Sequence, residues 1–66
     1  NMYDLKLRLV KLDKRQVDII KELAEQGIKV APAELSGFIA GYRTGAKADL
    51  VLAEADRIVR RWEDGV

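Results

Sequence analysis

Residues 13–41, DKRQVDIIKELAEQGIKVAPAELSGFIAG, decide the fold. Asp13 followed three residues later by Gln16 has the form of a capping box. A helix is therefore expected from about Lys14 to Gln26, burying Val17, Ile20, Leu23 and Ala24 at helical spacing. Gly27 stands where a left-handed C-terminal cap belongs. Ile28–Ala31 reads as a connector that tucks Ile28 and Val30 inward. Pro32 suits the first turn of the next helix, where its missing N–H costs nothing. That helix presents Leu35, Phe38 and Ile39 on one face and stops at Gly41. The stretch predicts two short helices joined by a tight connection.

Outward from it, YDLKLRLVKL (residues 3–12) carries two periods at once. Tyr3, Leu5, Leu7 and Leu9 alternate as in a strand, whereas Leu5, Leu9 and Leu12 recur as in a helix. The stretch is rich in Leu, Lys and Arg and poor in β-branched residues, and no second strand exists to pair with it, so a helix is predicted. On the other side, Tyr42–Gly45 forms a turn. AKADLVLAEADRIVRRWED (46–64) then carries a wide apolar stripe through Val51, Leu52, Ala55, Ile58, Val59 and Trp62. The expected architecture is a compact all-α domain of four helices spanning residues 2–66. Asn1, ahead of Met2, is set aside as an expression remnant.

Composition narrows the functions. In 66 residues there is no Cys and no His, which removes disulfides, thiolate ligands and the commonest general base. An enzyme is not expected, nor is a cofactor or a metal. No apolar run approaches the ~18 residues of a membrane span and no signal-peptide layout is visible, so a cytoplasmic protein with no membrane partner is expected. The net charge of +1 is the difference between 12 cations and 11 anions, so their placement must carry the argument.

Two segments resemble the phage-repressor and Cro-like (lambda-repressor-like) helix-turn-helix family. Arg15-Gln16-Val17-Asp18-Ile19-Ile20 is similar to the opening of the family's second helix, with Gln followed by apolar residues three and four positions on. Leu35-Ser36-Gly37-Phe38-Ile39-Ala40-Gly41 is similar to its recognition helix, and Leu52, Ala55 and Ile58 match the apolar spacing of the next one. The resemblance spans roughly Leu12 to Val59. It implies a DNA-binding transcriptional regulator of phage or mobile-element type, with the third helix in the major groove and Gln16 on a phosphate. From Gln16 to Leu35 is 35 − 16 = 19 positions, about one turn more than compact members carry, so a longer second helix is expected. Gly37 and Ala40 also stand where the family commonly places polar base readers.

The expected DNA contacts follow from this placement. Lys14 and Arg15, with Lys11 nearby, cluster at the start of the second helix, and Arg43, Thr44 and Lys47 flank the start of the fourth. Helix N-termini favour phosphates, so both clusters are expected to grip the backbone on either side of the third helix. On that helix the outward residues are Ala33, Glu34, Ser36, Gly37 and Ala40. Ser36 either bonds a base or phosphate or is simply solvated, the two alanines suit a thymine methyl, and Arg43 is the one strong base reader nearby. Glu34 would repel phosphate, and Phe38 belongs to the core. Gly37 costs ~1 kcal/mol relative to Ala inside a helix, which suggests that something approaches it closely.

A module this small makes few contacts, so specific binding is expected to use a homodimer. Its interface is expected on the fourth helix at Ile58 and Trp62; alternatively, Trp62 folds back near Tyr3 and Leu7. Near-neutral charge and a bland third helix also suit a second reading, a small module that docks on another protein such as a repressor. Gly41–Lys47 lacks the spacing of a phosphate-binding loop, and Gly37-x-x-x-Gly41 lies outside any apolar 20-mer. Asp49, Glu54 and Asp56 read as a solvated face beside Arg57 and Arg60 rather than as paired catalytic acids.

Overall fold

The structure, a computed structural model, describes residues 2–65, with side chains from residue 5 onward. Four helices account for most of it: α1 (Met2–Leu12), α2 (Gln16–Glu25), α3 (Pro32–Ala40) and α4 (Ala46–Asp64). No strand occurs among the described residues. The ambiguous first segment is helical because Leu5 and Leu9, four apart, both enter the core. Leu7, which a strand would place beside them, is 45% exposed.

Local chemistry ends three of the helices in the same way. At Gly27 and Gly41 the chain takes φ of 81° and 84°, open to glycine without cost. The following N–H groups then close the last turns, Ile28 onto the Leu23 carbonyl (2.9 Å) and Tyr42 onto the Gly37 carbonyl (2.9 Å). Asp13 does this for α1. It adopts φ 56°, which a short polar side chain tolerates, and Lys14 N–H reaches the Leu9 carbonyl at 2.9 Å.

Asp13 therefore terminates α1 and does not cap α2. Arg15 is the N-cap, and its N–H donates to the Asp18 carboxylate at 2.8 Å. Consequently α2 runs for ten residues from Gln16 and is not the long helix expected from Lys14 to Gln26. Its inward face also differs. Ile19 and Leu23 are fully buried and Ile20 is half-buried, while Val17 and Ala24 are exposed. Val17 lies about 200° around the axis from Ile19, on the far side from the core.

Leu35, Phe38 and Ile39 of α3 enter the core as expected, with Val30 from the connector. The 19-residue α4 packs on all three other helices through Ala48, Val51, Ala55, Ile58 and Val59. Ile58 is 1% exposed, so it belongs to the interior and is unavailable to a second copy. Trp62 is half-buried against the core, and the Lys14 ammonium lies 5.0 Å from its ring centroid. Its indole is thus covered in part by the chain itself. The Tyr3 side chain lies outside the described ones.

A polar clasp binds the two chain ends. Arg8 donates from Nε and Nη2 to both oxygens of Glu63 (2.8 and 2.9 Å) and from Nη1 to Asp56 at 2.7 Å. These bonds raise the Arg8 pKa and hold the Asp56 and Glu63 carboxyls below their ordinary values. Arg60 adds the expected i, i+4 pair with Asp56 at 3.1 Å, and Arg61 joins α4 to Glu22 of α2 at 2.7 Å.

Candidate nucleic-acid interface

With Leu35, Phe38 and Ile39 turned inward, the opposite side of α3 faces solvent. Counting about 100° per residue, Ser36, Ala40 and Ala33 fall within an arc of about 60°, and all three are exposed. This is the open face of the helix.

One edge of that face belongs to α2. The Ser36 hydroxyl donates to the Gln16 side-chain carbonyl at 2.9 Å, across twenty positions of sequence. Gln16 is the first residue of α2, so the bond sets that helix's N-terminus beside the middle of α3. Lys14 and Arg15 immediately precede it, exposed and without an ion pair among the described residues. Ser36 is therefore neither merely solvated nor wholly free, since its proton is committed to Gln16.

The other edge belongs to the turn before α4. Gly37 is buried, which corrects its expected place among the outward residues. What covers it is Arg43: a Cβ added at Gly37 would lie 2.9 Å from Arg43 Cδ and 3.0 Å from Cγ. The close approach expected at this glycine is thus made by the chain's own arginine. Lys47 is also placed differently from expectation. Its ammonium is 3.0 Å from Glu34, and this contact, then the Ala31 N–H, holds the Glu34 carboxyl below its ordinary value. Lys47 is engaged in neutralising the carboxylate that would otherwise repel a phosphate. Thr44 is exposed in the turn.

The cations divide into paired and unpaired ones. Arg8, Arg57, Arg60 and Arg61 all pair with carboxylates on the α1, α2 and α4 surfaces. Lys6, Lys11, Lys14, Arg15, Lys21, Lys29 and Arg43 have no such partner among the described residues. Of these, Lys14 and Arg15 at one edge and Arg43 at the other flank the open face of α3, a local positive charge that the net +1 does not show. Such a surface suits a polyanion. It holds no grouping of residues suited to a metal among those described, and no described helix is long and apolar enough to cross a membrane.

The Gln16–Ser36 bond, the Glu34–Lys47 pair and the identity of the side chain covering Gly37 carry no sequence signal, because none joins residues at a helical or motif spacing. Compared with protein-family models, curated protein sequences and solved structures, the chain has no match.

Proposed function

We propose that the domain binds double-stranded DNA as a helix-turn-helix module, with α3 in the major groove, and acts as a transcriptional regulator. The Gln16–Ser36 bond supports this reading most: it sets the α2 N-terminus, with Lys14 and Arg15, beside the exposed face of α3. In a docked helix-turn-helix the first of the two helices crosses the backbone while the second enters the groove. Free N–H groups at the start of α2 and the neighbouring cations then meet phosphates, and the small side chains of Ala33, Ser36 and Ala40 let the helix approach base edges closely. A single module of this size makes few contacts, so specific binding is proposed to use two copies on a two-fold site.

The test is titration of a labelled mixed-sequence duplex at several salt concentrations. Phosphate contacts by Lys14 and Arg15 give a log–log slope of about −1.8 for each bound copy, from ~0.9 for each contact. Absence of binding at low salt, or a flat response, refutes the proposal and favours the protein-docking module.

A further inference from the structure

We infer that Arg43, which belongs to the turn and not to α3, is the specificity-determining residue of this surface and reads a guanine, with Gly37 as the positioning residue that seats it. The inference rests on the DNA-binding reading and adds to it the base that is recognised.

The first observation is the path of the side chain. Gly41 turns the chain left-handed, and the Tyr42 and Arg43 N–H groups both donate to the Gly37 carbonyl, at 2.9 and 3.1 Å. That geometry starts Arg43 beside the last turn of α3. Its stem then runs back over Gly37, with Cγ, Cδ and Nε all within 3.4 Å of where a Cβ would be. Any other residue at position 37 would push the stem off the helix.

The second observation is what its neighbours are doing. Ser36 gives its proton to Gln16, and Glu34 is taken by Lys47. Ala33 and Ala40 have no polar side-chain atoms. Glu34, a carboxylate within the electrostatic reach of Arg43, is paired with Lys47, and Arg43 itself makes no ion pair among the described residues. Arg43 is thus the strong, uncommitted hydrogen-bond donor lying on the exposed side of α3. A guanidinium in the major groove pairs with guanine O6 and N7 through two parallel N–H bonds, and no other base edge offers it two acceptors. A flank-facing arginine gripping phosphate would need no such seat.

Selection from a random duplex library by the wild-type protein, then by Arg43→Ala and Arg43→Lys, tests this. The wild type should enrich a site with a fixed G·C pair. 7-Deazaguanine at that position, which lacks N7, should weaken binding about tenfold, whereas inosine, which keeps N7 and O6, should not. Arg43→Lys should keep the salt slope and weaken the guanine preference, and Arg43→Ala should lose it. Gly37→Ala should lose the same preference without a lowered melting temperature. If Arg43→Ala weakens every duplex equally and flattens the slope by ~0.9 for each bound copy, Arg43 is a phosphate contact and the inference is overturned while DNA binding stands. A site without a fixed guanine overturns it too. If the wild type binds no duplex, the DNA-binding reading itself fails.

Discussion

Gly37→Ala separates stability from recognition at one position. In a helix interior, alanine is better than glycine by about 0.8–1 kcal/mol, chiefly because it loses less backbone entropy. Against this stands the Arg43 stem, whose Cδ would be 2.9 Å from the new methyl. Ordinary carbon contacts begin near 3.5 Å, so the stem must retreat by roughly 0.6 Å or more. Arg43 is exposed and has no ion pair among the described residues, so its side chain can swing toward water at little cost. The Gly37 carbonyl, which accepts the Tyr42 and Arg43 N–H groups, is not disturbed. The net expectation is a gain of about 0.5–1 kcal/mol, or a rise of ~2–8 °C in Tm for a domain of this size. Far-UV circular dichroism melts measure it directly. A fall of more than about 1 kcal/mol would show that the packed arginine stem supports the fold, refuting its description as a movable cover.

The remaining expectations concern the interior and the clasp. Ile58→Ala should cost about 2–5 kcal/mol in denaturant titrations, a large part of the ~3–10 kcal/mol total for 66 residues. The milder Ile58→Val should cost about 0.5–1.5 kcal/mol with unchanged sedimentation; a change of mass with full stability would return Ile58 to an interface. Arg8→Met should remove a pH dependence. Asp56 and Glu63 have lowered pKa values in the fold, so their contribution is present above the ordinary carboxylate range and is lost as pH falls through the lowered values. Melting curves of wild type and variant should therefore differ near neutrality and converge well below about pH 4. Parallel curves throughout would mean that the clasp contributes nothing to folding.

The amino-acid sequence by itself determined the elements that depend on local chemistry. Gly27 and Gly41 end their helices because glycine enters the left-handed region freely, and Pro32 opens α3 because the first turn has no use for its N–H. The apolar faces of α3 and α4 were legible for a related reason: each offers one dominant stripe. Asp13 was not, since the same short carboxylate serves as an N-cap or as a left-handed terminator, and only the point where α1 stops selects between them. The phase of α2 was ambiguous as well. Val17, Ile20 and Ala24 keep helical spacing as well as Ile19 and Leu23 do, and contact with α4 decides which set is buried. Ile58 and Trp62 share one stripe, yet packing puts the first inside and the second at the rim. On the candidate surface, the sequence located the basic clusters but not their condition. Arg8 meets Glu63 across fifty-five positions and Ser36 meets Gln16 across twenty, separations with no period to betray them. Whether a cation is free or spent on a carboxylate depends on distances of a few ångströms between different helices, and those exist only once the helices have packed.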